Sequence, residues 1–176
     1  MNGRIRTARV PARREFLLAA AGGAASLALA GCGFKLRQAP VFSFKSIAIP
    51  ANTAFANFLR RDLKGSGTVE VLPTDQVAKA EVVFEILAEN RDNVIASTDI
   101  NGQVNELLLR LTIRFRLHGQ DGREWLAPTS IQQTRDLTYN ETAALAKQSE
   151  TELLFTDMQN DIAQQVVRRL AAVKRV

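Results

Sequence analysis

Residues 107–117 alternate without a break. Leu107, Leu109, Leu111, Ile113, Phe115 and Leu117 occupy every second position, with Leu108, Arg110, Thr112, Arg114 and Arg116 between them. A helix would scatter six apolar side chains at period two around its circumference, whereas a strand puts all six on one face. The spacing therefore predicts a strand with one face in a core. The other face carries three arginines, ends at His118 and turns to water or a partner. Such a strand needs neighbours for its backbone groups and an apolar layer for its leucine face, and the rest of the chain has to supply both.

Turn signals flank this strand. Asn101-Gly102 precedes it and Asp121-Gly122 follows it, and both pairs tolerate the positive φ of a tight hairpin. The strand in front lies within 81–97, with Val83, Glu85 and Leu87 facing one way and Val82, Phe84 and Ile86 the other. The strand behind lies within 124–139, where Ile131, Gln133, Arg135 and Leu137 alternate and Pro128 marks an edge or a bulge. Nearer the N-terminus, 44–49 alternates up to Pro50, 68–72 reads as a short strand closed by Pro73, and 74–79 fits one helical turn. Helical spacing occurs twice. Phe55, Phe58, Leu59 and Leu63 lie between Thr53 and Gly65-Ser66-Gly67, and Phe155, Met158, Ile162, Val166, Leu170 and Val173 form a stripe near the C-terminus. The second helix starts either at the capping box Ser149-Glu150-Thr151-Glu152 or earlier, with Asn140 as its cap. The expected fold is α+β, with two amphipathic helices packed on one face of a small four-stranded sheet, largely antiparallel or mixed.

Residues 1–31 are of another kind. Arg4, Arg6, Arg9, Arg13 and Arg14 precede a mostly apolar run from Phe16 to Ala30, which is shorter than the ~20 residues of a spanning helix. Leu29-Ala30-Gly31 then leads into Cys32, the single cysteine of the chain. Charged region, apolar region, small residues and a cysteine, in that order, predict a bacterial lipoprotein signal removed before Cys32. The thiol accepts diacylglycerol, and an N-acyl chain completes the anchor. One acyl chain holds a protein to a membrane only marginally, and more than one holds it stably. Arg13-Arg14-Glu15-Phe16-Leu17-Leu18 also resembles a twin-arginine export signal; two adjacent arginines in a basic leader are the plainer reading, and nothing suggests a cofactor that requires folded export. Gly33 stands where an aspartate would retain an enterobacterial lipoprotein in the inner membrane, so the expected destination is the outer membrane. The resulting organisation is a leader over 1–31, a lipidated tether over 32–43 and one domain over 44–176.

The leader also explains the basic pI of about 9.9. It holds five of the 23 basic and one of the 18 acidic residues, so residues 32–176 carry 18 against 17 and a net charge of +1. A nearly neutral chain has no global field for nucleic acid. Chemistry is sparse. His118, the single histidine, has no second histidine or free cysteine to join it at a metal, and it reads as a surface residue beside a turn. No G-x-S-x-G, P-loop or H-E-x-x-H pattern occurs. Trp125 reads as packing. Carboxylates are scattered, and a hydrolytic pair among them stays open, so a lipid-tethered periplasmic enzyme is the alternative to a binding module. The unusual feature is the row Arg110, Arg114, Arg116, whose roots lie about 7 and 13 Å apart along a strand. It is either a solvated face with cross-strand acid partners such as Glu85 or Glu89, or an anion-binding face suited to phosphate.

Three stretches resemble the lipopolysaccharide-assembly lipoproteins, the LptE family: Cys32-Gly33-Phe34-Lys35-Leu36-Arg37; Asn101-Gly102-Gln103 with Glu106; and Asn140 through Ala144-Leu145-Ala146-Lys147, followed by a long helix carrying Met158 and Arg168-Arg169-Leu170. The resemblance implies a non-enzymatic outer-membrane lipoprotein with two helices on a small sheet and no metal or other cofactor. It implies a place inside the lumen of the β-barrel LptD, where the domain acts as a plug, assists barrel assembly and takes part in delivering lipopolysaccharide to the outer leaflet. Family members bind lipopolysaccharide through a basic residue just before the Asn-Gly turn and through the lysine of Ala-Leu-Ala-Lys. The second position is Lys147 here, but the first is the apolar Ile100, so Arg110, Arg114 and Arg116 are the further candidates for that ligand.

Overall fold

The computed structural model describes residues 39–174, so the leader, Cys32 and most of the tether lie outside the described residues. Five strands form one sheet: β1 (Ser46–Ala48), β2 (Glu70–Leu72), β3 (Val82–Thr98), β4 (Val104–Gly119) and β5 (Glu124–Thr138). Their spatial order is β2-β1-β3-β4-β5. The expectation of four strands is therefore corrected to five. The two N-terminal strands are only three residues each, and β2 joins the sheet solely by pairing with β1. The sheet is mixed. β1 runs parallel to both β2 and β3, while β3, β4 and β5 form an antiparallel meander.

Helix α1 (Ala54–Ser66) connects β1 to β2, as a parallel pair requires a crossover. The Thr53 hydroxyl accepts from Ala56 N–H at 3.2 Å, and Gly67, at φ 66°, closes the helix in the left-handed region that its missing Cβ permits. Phe55, Leu59 and Leu63, four residues apart, are fully buried. Arg60 ties the helix back to the preceding loop through the carbonyls of Ile49 and Ala51. A 3₁₀ turn over Thr74–Lys79 then leads into β3, matching the single turn expected there.

Helix α2 (Ala144–Ala172) starts early. The Asn140 side chain accepts from Thr142 N–H at 2.9 Å and opens a short 3₁₀ turn that runs into the helix. Ser149 is not a cap; it lies inside the helix, where its hydroxyl donates to the Leu145 carbonyl. Phe155, Met158, Ile162, Val166 and Leu170 are buried, as their spacing predicts.

Both helices and the leucine face of β4 close one core. Leu109, Leu111, Ile113, Phe115 and Leu117 have no exposed surface, and the Phe84 and Phe115 rings stack at 5.0 Å. Trp125 packs at the margin of this core, edge-on to Phe44 at 6.2 Å.

One irregularity decides what faces where. Ile86 pairs with Phe115 and Ala88 with Arg114, so Leu87 is an extra residue bulged out of β3. The alternation expected for 82–87 ends there. Beyond the bulge, Glu89 and Arg91 point to the helix side, across from Ile113 and Leu111. Glu89 accepts from the buried Gln159 of α2 at 3.0 Å, and Arg91 reaches Glu152 of α2 at 3.3 Å.

Candidate functional site on the open sheet face

The side of the meander away from the helices carries a polar array fixed by strand register. Asp92, Arg110 and Thr134 form one cross-strand row; Asn90, Thr112 and Gln132 the next; Ala88, Arg114 and Ser130 a third; Glu85 and Arg116 lie beyond. The row of arginines therefore does project from one face, as the alternation of β4 requires.

The three guanidinium groups are not equivalent. Glu85 Oε2 accepts from Nε of Arg116 at 2.6 Å and forms an ion pair with its Nη2, also at 2.6 Å. His118 Nε2 lies 3.7 Å from the same oxygen, while Nδ1 sits 2.9 Å from the Gly119 carbonyl. Arg116 is thus committed to an acid, and the expected cross-strand partner is Glu85. The other expected partner, Glu89, is ruled out because the Leu87 bulge turns it to the opposite side of the sheet. Arg114 is exposed and faces Ala88 and Ser130, neither of which carries charge. Arg110 has Asp92 and Thr134 beside it, yet among the described residues it makes no ion pair, and its Nε is buried without a hydrogen-bond partner. Two cationic forks in a field of hydroxyl and amide groups suit a phosphorylated, hydroxylated ligand.

Lys147 does not join them. It lies near the start of α2, on the helix side of the sheet, and its ammonium group is 2.8 Å from Glu150. The residues singled out from sequence therefore divide into a sheet-face group, Arg110 and Arg114 with the neutralised Arg116, and a separate helix-side lysine. Cys32 lies outside the described residues.

Ile100 sits at the tip of the β3–β4 hairpin and is fully exposed. Sequence reasoning missed its neighbour Asp99, whose carboxylate accepts from Asn101 N–H at 2.8 Å and Gln103 N–H at 2.9 Å. These bonds, that from Gln103 foremost, hold the carboxyl below its ordinary value of 3.8. An Asp three residues before Gly102, which adopts φ 81°, is a signal that could have found the brace. The tip and the start of the described chain lie at opposite ends of β4. Ser43 bonds to the Val173 carbonyl beyond the C-terminal end of α2, and Thr68 to the Pro40 carbonyl, at the end where β4 finishes. The 16 residues of β4 separate the two ends by about 50 Å.

Among the described residues no helix is long and apolar enough to cross a membrane. These features define an α+β domain with helices on one face of a mixed sheet and an open polar face on the other. The profile of the Lipopolysaccharide-assembly (LptE) family matches residues 44–170, and the chain belongs to that family. It is 28% identical over 159 residues to the LPS-assembly lipoprotein LptE of Yersinia pestis, covering 86% of this chain and 73% of that one, and equally to its counterpart in Yersinia pseudotuberculosis. Among solved structures it resembles lipoprotein B of Nitrosomonas europaea, with TM-score 0.66, 31% identity and coverage of 80% of this chain and 91% of that one. The rare lipoprotein B of Shewanella oneidensis shares the fold, with TM-score 0.61, 21% identity and coverage of 73% and 95%.

Proposed function

We propose that this protein is an acylated outer-membrane lipoprotein that fills and helps assemble the β-barrel LptD, and that it takes part in passing lipopolysaccharide to the outer leaflet. It acts by binding rather than by turnover. Cys32 carries the anchor, and the domain lies in the barrel lumen. A barrel interior is polar, and the open face of β3–β5 meets that requirement with hydroxyl, amide and charged side chains. The observation that supports ligand contact is the pair of guanidinium groups at Arg110 and Arg114 on the open face, which make no ion pair among the described residues, whereas Arg116 is held by Glu85. They engage the phosphates of lipopolysaccharide, while Arg116 contributes less because Glu85 already holds it. Lys147 forms a second, separate contact on the helix side.

The test is direct binding of purified lipopolysaccharide to the full-length lipoprotein in detergent. Arg110→Glu with Arg114→Glu should weaken binding at least tenfold with an unchanged circular dichroism spectrum. Lys147→Glu should weaken it independently, so that the effects of the two groups add. Unchanged binding in the double arginine variant would remove the sheet face from the account.

A further inference from the structure

β1 pairs with β3 only at Val82 and Val83. From Phe84 to Thr98, the side of β3 away from β4 has no strand neighbour among the described residues. Every residue from Asn90 to Thr98 is exposed. In an antiparallel strand every second residue turns its N–H and C=O away from the paired neighbour. This edge therefore presents unpaired donors and acceptors about 7 Å apart along its length, a pattern that an extended polypeptide backbone matches.

Proteins usually guard such an edge with proline, charge or bulges. The opposite edge, β5, has Pro128 and none of the exposed large apolar side chains. β3 is less defended. It contains no proline, and Val94 and Ile95 stand 38% and 59% exposed, one on each face of the sheet. Two of its charges are drawn under the sheet, Glu89 to Gln159 and Arg91 to Glu152 and over the Phe155 ring. Its bulges, at Leu87 and Ala96, leave the register regular from Ala88 to Ile95.

We infer that the outer edge of β3 between Ala88 and Ile95 accepts an extended segment of the barrel partner as an added strand. This rests on the plug reading above, under which loops of the surrounding barrel are the polypeptide held at high effective concentration beside this edge. The incoming strand carries apolar side chains opposite Val94 and Ile95 and a basic one opposite Asp92. Two-fold antiparallel pairing with a second copy sets identical charges opposite one another when centred on Glu89, Arg91 or Asp92, but sets Glu89 opposite Arg91 when centred on Asn90, so the test below separates a second copy from the barrel.

Amide exchange tests this on the full-length chain, alone in detergent and co-purified with the barrel. In the free chain alternate amides between Ala88 and Ile95 exchange fast; in the complex that fast set slows at least tenfold. Asp92→Pro and Asn93→Pro supply a second arm, since one removes an N–H aimed at β4 and the other an N–H aimed outward. The outward variant should keep the Tm of the free chain yet lose at least tenfold in barrel co-purification. If the barrel co-purifies while exchange along this edge is unchanged, strand addition is wrong and the plug reading stands. If the wild-type chain brings down no barrel, the plug reading fails and strand addition fails with it. Protection that grows with the concentration of the chain alone assigns the edge to a second copy and overturns the proposal.

Discussion

Replacing Glu85 by Gln should tighten lipopolysaccharide binding. Glu85 and Arg116 are each 37% exposed, and an ion pair at that exposure contributes about 0.2–1 kcal/mol to folding. Gln still accepts a hydrogen bond from Arg116, so the substitution should cost less than about 1 kcal/mol of stability. Its effect on binding is larger. A carboxylate about 4 Å from a bound phosphate repels it by roughly 1 kcal/mol even in water, and by more where the site is partly dry. Removing that repulsion should lower Kd about fivefold. Arg110→Ala works in the opposite direction. It removes a charge-assisted hydrogen bond of about 1.5–3 kcal/mol and should raise Kd roughly ten- to a hundredfold. Calorimetry at two salt concentrations checks both variants, and the gain in Glu85→Gln should shrink at high salt. A Glu85→Gln protein that binds with unchanged or weaker affinity would refute the claim that the arginine face meets the phosphates.

Two further outcomes follow from the core and the hairpin tip. Ile113 is fully buried between Glu89 of β3 and Ile131 of β5, so Ile113→Ala should destabilise the domain by about 2–5 kcal/mol in urea unfolding. At the tip, the folded-state pKa of Asp99 lies below its ordinary 3.8. The carboxylate therefore stabilises the turn fully above that value, and the contribution disappears as pH falls from 3.8 through the lowered folded value. The protection of the Asn101 and Gln103 amides, measured against their intrinsic exchange rates at each pH, should fall on acidification through that window, and Asp99→Ala should show the lost protection already at neutral pH.

The periodic elements were legible because burial enforces period. Leu109 to Leu117 must face one way or leave the core, and the same holds for the stripe from Phe155 to Leu170. The bulge at Leu87 was not legible. No glycine or proline marks it, and its register follows from pairing with β4. With the bulge hidden, Glu89 looked like an arginine partner, although it lies across the sheet on Gln159. The short β2 was legible as a strand before Pro73, but its pairing with β1, which adds it to the sheet as a fifth strand, was not. Within the candidate site, the arginine row followed from alternation alone. The difference between a neutralised Arg116 and an unpaired Arg110 depends on cross-strand register, which one strand's sequence does not contain. Lys147 came from family resemblance, and its place on the helix side shows that shared basic character is no guide to spatial grouping.

The central claim is that this lipoprotein works inside a transport barrel. Isolating the full-length acylated chain from its native membranes in mild detergent, and identifying what comes with it, tests that claim most directly. The account predicts that the LptD barrel accompanies the wild-type chain and that lipopolysaccharide is bound to the complex. Recovery of the acylated chain without the barrel, under conditions that leave other outer-membrane complexes intact, would contradict it.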